Sequence, residues 1–300
     1  MRLIRPTSHL FVVSCLTAFQ FGGPVPEPSM RPPAPFPEPR AHVRSAADRA
    51  GPAEWLPVSS PDRQRGGSWR PLPEDSVGSH EFYFTRTMYS GFRGWGRGRG
   101  RGSWAVDFPK ADRQFLFGLR RMTLIDAYEW ENPVPLDDPG LLRFPFIYAL
   151  EVGYMSLTPP EVEGLRNYLL AGGFLFVDDF WGTYEWLNFE REIRRVLPEY
   201  QIQELPLGHP AFSTVYQIDT IIQVPNVARG TRGGPTWERD GYVPHVRAIF
   251  DEHDRMMVAI HWNTDLGDAW EWADNPYYPL KYSNYAWQVG INFIVYAMTH

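Results

Sequence analysis

A helix that stops at a pair of glycines and feeds directly into a wholly apolar strand leaves a chain few folds to choose from. Residues 158–180, TPPEVEGLRNYLLAGGFLFVDDF, carry that pattern. Thr158 and Glu161 have the spacing of a capping box, and Pro159 takes the first helical position, where its missing N–H costs nothing. Val162, Leu165, Tyr168 and Leu169 mark one apolar helix face, which Gly172-Gly173 ends. Phe174 to Val177 reads as a short strand apolar on both faces, as in a parallel sheet covered by helices on either side. Two carboxylates, Asp178 and Asp179, follow at once. In open α/β sheets ligands bind just outside the carboxyl ends of the strands, so a fold and a candidate site are announced together.

The same alternation runs on either side. Phe82 to Thr87 predicts a first strand, and Pro109 opens a helix reaching about Met122 with Phe115, Leu116 and Leu119 on its apolar face. Phe144 to Leu150 predicts a second apolar strand. Asn188 to Val196 predicts a helix that Pro198 stops, with Phe189, Ile193, Val196 and Leu197 facing inward. Val243 to Phe250 and Met256 to Trp262 predict a hairpin around 251–255. Ser283 is placed to cap a last helix striped by Trp287, Gly290, Ile291, Ile294 and Met298. Helices alternating with apolar strands predict a three-layer α/β fold with a largely parallel sheet over residues 80–300 and no internal repeat.

The first 79 residues read differently. Arg2 and Arg5 precede an apolar run from Leu10 to Phe21 that Gly22-Gly23-Pro24 ends. This is the form of an export signal over residues 1–22, too short to span a bilayer comfortably. No small-x-small cleavage triplet follows, and Val12-Val13-Ser14-Cys15 has the outline of a lipoprotein box. Cleavage, lipidation at Cys15, retention as an anchor, and a cytoplasmic protein with an apolar terminus are the readings open at this point. Cys15 is the only cysteine, so removal of the signal would exclude disulfides, cysteine-ligated metals and a cysteine nucleophile. Residues 23–79 are rich in Pro, Arg, Ser and Gly without periodicity, and predict a disordered linker.

A net charge of −6 gives no reason to expect nucleic acid or an anionic membrane surface as partner. Chemistry has to be sought at the strand ends. Asp178 and Asp179 can bind a metal, orient a water or grip sugar hydroxyls; equally, one caps the next turn while the other is solvated. Glu151 follows the strand ending at Leu150, and Asn263, Asp265 and Asp268 follow the one ending at Trp262. If these strands are parallel, Glu151, Asp178, Asp179 and Asp265 gather on one rim. A symmetric hairpin would set His245 opposite His261, on the face of Arg247 and Ala259, as a metal-binding pair without an evident third ligand. His209, in Leu205-Pro-Leu-Gly-His-Pro210, is either a general base on an ordered loop or a structural histidine bonded to backbone. Arg97, Arg99 and Arg101 alternate with glycine, which suits clasping an anion, a mobile flap or plain solvation; no Gly-Lys-Ser/Thr makes this a P-loop. Gly-x-Ser-x-Gly and His-Glu-x-x-His are absent from the sequence, as is Gly-x-Gly-x-x-Gly behind a first strand.

A series of motifs gives the chain a family likeness. Trp95-Gly96 with its Gly/Arg run, Trp104-x-x-Asp107-x-Pro109-x-x-Asp112, Phe144-Pro-Phe-Ile-Tyr148, the stretch Leu165 to Phe180, Leu205-Pro-Leu-Gly-His-Pro210 and Gly290-Ile-Asn-Phe-Ile-Val-Tyr296 stand in order. Together they resemble the bacterial domain of unknown function family 4159 over nearly all of 81–299. That family resembles the class I glutamine amidotransferase-like superfamily, trehalose-utilisation-type domains included. The resemblance implies a flavodoxin-like sheet and no established activity, and its members are often exported or anchored. Amidotransferases place a cysteine at the turn after a central strand; the matching turn here, Glu151-Val-Gly-Tyr154, has neither Cys nor Ser.

The expected function is therefore a non-catalytic, extracytoplasmic module for a small molecule, sugar or protein, with Arg97, Arg99, Glu151 and Asp265 as ligand-binding residues. It takes no nucleic acid and meets a membrane only through its N-terminal segment. The alternative is a hydrolase, acting on carbohydrate, that uses Asp178 or Asp179 with His209 or His261. No cofactor is expected, and the residues leave a metal open.

Overall fold

The structure is a computed structural model and describes residues 64–65, 68–69, 72, 77–91 and 103–300. The predicted export signal and the Gly/Arg run with Arg97 and Arg99 lie outside the described residues, as does most of the predicted linker. In chain order the main strands are β1 (Thr85–Met88), β2 (Asn132–Pro135), β3 (Phe146–Leu150), β4 (Phe174–Asp178), β5 (Ile202–Glu204), β6 (His245–Phe250) and β7 (Met256–Trp262). They form one seven-stranded sheet in the order β2-β1-β3-β4-β7-β6-β5. Pairing from β2 through β7 is parallel; β6 runs against both its neighbours, so β5 again points the common way. The 2-1-3-4 start is flavodoxin-like, and the chain reverses its direction of winding between β1 and β3. Two short strands, Gln64–Arg65 and Ser68–Trp69, pair antiparallel upstream.

The helices are α1 (Lys110–Met122), α2 (Pro159–Leu170), α3 (Gly182–Val196), α4 (Val227–Arg232), α5 (Leu266–Glu271) and α6 (Leu280–Thr299). Strand alternation sorts the apolar residues into two cores. Phe146, Tyr148, Phe174 and Phe176 point to one face, where Phe115 of α1, Trp270 of α5 and Phe293 of α6 cover them. Ile147, Ala149, Leu175 and Val177 point to the other, beneath Leu165 and Leu169 of α2 and Phe189 and Ile193 of α3. Because both faces are buried, β3 and β4 are apolar at almost every position, which is why they were recognisable without periodicity. Leu72, within the stretch that predicted a linker, is buried in the second core.

Three local expectations are corrected. The hairpin is not symmetric: Phe250 pairs with Met256, but a register shift next to it sets Ile249 against Val258 and His245 against Trp262. One extra residue on β7 turns every later side chain over, so His261 pairs with Val246 and lies on the opposite face from His245. The predicted histidine pair does not exist. Helix α3 starts six positions before Asn188 because residues remote in sequence satisfy its first N–H groups: Asn263 Oδ1 accepts from Gly182 at 2.8 Å and Asp240 Oδ1 from Thr183 at 3.0 Å. Helix α6 starts at Leu280 after Pro279, and Ser283 is buried inside its first turn rather than capping it.

A carboxylate rim as the candidate functional site

At the carboxyl edge of the sheet, three central strands each leave through a residue in the left-handed region. Glu151 follows β3 with φ 53°, Asp179 follows β4 with φ 50°, and Asn263 follows β7 with φ 61°. Asp107, just before α1, is a fourth at 58°. Only Asp and Asn accept this conformation readily among non-glycine residues, and such strain of about 1–3 kcal/mol per residue persists where the surroundings impose it. Here the surroundings are the adjacent strand ends. The N–H of Glu151 donates to the Asp179 carbonyl at 3.0 Å, that of Asp179 to the Thr264 carbonyl at 3.1 Å, and that of Asn263 to the Phe180 carbonyl at 3.0 Å. The left-handed turn at Asp179 also breaks the strand's alternation, so its direction does not follow simply from that of Asp178.

The carboxylates divide by what already holds them. Asp178 has both oxygens occupied: Oδ1 accepts from the Tyr148 hydroxyl at 2.6 Å, and Oδ2 from the N–H groups of Leu266 and Gly267 at 2.7 and 3.2 Å. It pins the start of α5 to the sheet. Asp265 caps the same helix by accepting from the Asp268 N–H at 2.7 Å, and Asp268 Oδ2 accepts from Val227 N–H at 2.6 Å. Asp179 Oδ1 accepts from the Trp181 indole at 3.0 Å. Asp107 Oδ2 is closed off from solvent and has no hydrogen-bond partner.

These groups come together. Carboxylate oxygens of Asp107, Asp179 and Asp265 all lie within 4.8 Å of one another, and those of Asp107, Asp268 and Glu271 do the same. The cations nearby are engaged elsewhere. Arg86, fully buried, pairs with Asp112, donates to the carbonyls of Trp104 and Val106 at 3.3 Å, and lies 4.7 Å above the Tyr148 ring. Arg239 pairs with Glu185 at 2.7 Å and Lys110 with Asp274 at 3.1 Å.

Burial and mutual repulsion therefore push the rim's carboxyls up. Asp107, Asp179 and Asp265 rise well above the ordinary range, by burial first; Asp268 and Glu271 then raise Asp107, which Arg86 restrains, Glu151 and Asp107 raise Asp179, and Asp179 and Asp268 raise Asp265. Glu151 is raised to about 8 by burial, then by Glu185 and Glu238. Asp178 is raised to about 7 by burial, a rise that its hydrogen bonds from Tyr148, Leu266 and Gly267 restrain. Glu271 reaches about 7 through burial and Asp268.

The structure thus brings Asp178, Asp179, Glu151 and Asp265 to one edge, as parallel strands require. It does not join the two histidines to the cluster. Among the described residues, neither close group of carboxylates includes a histidine. His209 Nδ1 accepts from the Ala211 N–H at 3.2 Å, and its ring packs on Phe250 and Tyr296. Phe250 pairs with the first residue of β7, so His209 belongs to the opposite edge of the sheet. His261 lies flat on Phe176, ring centroids 4.5 Å apart, and edge-on to Phe293; burial lowers its pKa to about 3, and it stays neutral. Its Nε2 has no hydrogen-bond partner. Asp107, Asp268 and Glu271 join the rim without having been singled out as site residues. The signal for Asp107 was its place between the Gly/Arg run and Pro109. That for Asp268 was its position three residues after Asp265, one helical turn on.

A doubly wound sheet with an acidic rim at its switch point defines the class of domain. Residues 92–298 match the family described as Domain of unknown function (DUF4159), and the chain belongs to that family. No curated protein matches the chain.

Proposed function

We propose that this domain is a ligand-binding module whose site is the carboxylate rim between the ends of β1, β3, β4 and β7. The observation that carries the reading is the convergence of Asp107, Asp179 and Asp265 within 4.8 Å, while Arg86, the described cation that acts on Asp107, is paired with Asp112. Such a rim takes a group that offers positive charge or several hydroxyl donors. The resemblance to amidotransferase-like domains read from the sequence supports the location: Glu151 occupies a left-handed turn straight after β3, the turn that matches the one where that superfamily carries its cysteine. A carboxylate in that place, with His209 and His261 held elsewhere, favours binding over acyl-transfer chemistry. The export-like N-terminus supports a site outside the cytoplasm. Among the described residues, no helix is long and apolar enough to cross a membrane.

One observation favours the second reading, a hydrolase acting on carbohydrate: a carboxyl held near 8, as Glu151 is, can serve as a general acid at neutral pH. A single experiment separates the two. The full chain and Glu151→Gln are screened by thermal shift against sugars, polyamines and cationic peptides, and each hit is followed for turnover. The binding reading expects a stabilising compound whose effect is lost in the variant and which is recovered unchanged. Turnover abolished in Glu151→Gln would replace it with the hydrolase, and no stabilising compound in any class would sink both.

A further inference from the structure

We infer that the rim is completed by a hard divalent cation, held by Asp107, Asp179 and Asp265. The inference rests on the rim being the binding site and names what it binds first. Two independent observations lead there. The first is geometric. Three carboxylates, one from the loop before α1, one from the end of β4 and one from the start of α5, present oxygens no more than 4.8 Å apart. Calcium–oxygen bonds are about 2.4 Å long, so oxygens on opposite sides of one ion stand about 4.8 Å apart. An upper limit of 4.8 Å on every pair puts the three oxygens within reach of one such ion, with small side-chain shifts bringing them to bonding distance.

The second is the orphaned acceptor. Asp107 Oδ2 is sealed from water and accepts no hydrogen bond, and an unsatisfied buried acceptor is costly for a fold to hold. Among the described residues, no side chain donates a hydrogen bond to it. Gly267, at the start of α5, leaves the approach open: a Cβ there would come within 2.9 Å of this oxygen and 3.1 Å of the Tyr148 hydroxyl. One oxygen of Asp179 is bonded to Trp181 and one of Asp265 to the Asp268 N–H, which fixes both groups beside Asp107. An oxygen-only donor set of three carboxylates selects calcium, magnesium or manganese over zinc or copper. Asp268 and Glu271 bring two more carboxylates within 4.8 Å of an Asp107 oxygen.

The experiment uses the full chain, stripped with a chelator and titrated at pH 7.5 with calcium, magnesium or manganese chloride by calorimetry. Saturable binding of one ion is expected. Asp179→Asn and Asp265→Asn are expected to weaken it at least tenfold. Terbium provides a readout that needs no variant. Trp181 is bonded to Asp179, so excitation of tryptophan should give terbium emission that calcium quenches by competition. Absence of saturable binding in the wild type, emission that calcium does not displace, or unchanged affinity in folded variants would overturn the inference. An organic ligand that binds at the rim of the chelator-stripped chain, with no ion binding, would defeat this inference and leave the broader reading standing. Ion binding without any organic ligand would do the reverse.

Discussion

Tyr148 and Asp178 decide between two meanings of a carboxylate at a strand end. Asp178 was a candidate catalytic acid, yet three donors occupy its two oxygens and tie β3 and β4 to α5. Its role is to hold, and a holding role has a measurable signature. Tyr148→Phe removes one donor, keeps the ring that packs against Phe84 and Trp270, and leaves Oδ1 buried without that partner. The expected loss is about 1–3 kcal/mol in urea unfolding. It should be larger at pH 8.5 than at pH 5, because a bond to the ionised carboxylate is the stronger one. A loss that is equal at both pH values would show that Asp178 does not change its protonation state between them. At this scale the sequence was half legible. Adjacent acids after an apolar strand marked the place, but nothing in Asp178-Asp179 shows that one is tied by a tyrosine thirty residues earlier while the other faces its neighbours' charge. Asp107 was harder still, because it reaches the rim from a loop rather than a strand end.

At the level of elements, α2 and β4 were read almost in full from local rules, and the reason is that local contacts make them. Both halves of the capping box are formed: Thr158 Oγ1 accepts from Glu161 N–H, and Glu161 accepts from Thr158 N–H at 2.7 Å. Glu161 does more than cap, since its other oxygen accepts from Ser90 N–H at 2.7 Å and so joins α2 to the chain leaving β1. Thr158→Ala should therefore cost about 1 kcal/mol, and Glu161→Ala roughly twice that, in chemical unfolding. Equal losses would mean that the tie to Ser90 contributes nothing. The elements that sequence rules misplaced are those whose ends are set from far away. The first turn of α3 is capped by Asn263 and Asp240, and the hairpin's faces depend on one bulged residue next to its turn. Composition carries no trace of either.

Across the whole domain the rim is a store of unfavourable charge that the rest of the fold must hold together. A carboxyl whose pKa is raised on folding binds its proton more tightly in the native than in the unfolded state. Stability therefore falls as pH rises from the unfolded value, about 4.5, through the folded one. Glu151 near 8, Asp178 near 7, and Asp107, Asp179 and Asp265 raised well above the usual range all act in this direction. His261 acts the other way. Lowered to about 3, it adds stability as pH climbs toward 6.5, after which its unfolded form is neutral too and its contribution is constant. The two trends oppose each other in mild acid, and only the carboxyls remain above about pH 6.5. Melting temperatures of the chelator-treated chain should fall from pH 5 to pH 9, with His261 offsetting only part of the five carboxyls' effect below about pH 6.5. A divalent ion at the rim supplies the missing charge, so millimolar calcium should flatten that decline and leave the acid limb unaltered. A melting profile that rises between pH 7 and 9 without added ion would mean that the rim carboxyls are stabilised by a partner within the chain, and both the charge imbalance and the site built on it would have to be given up.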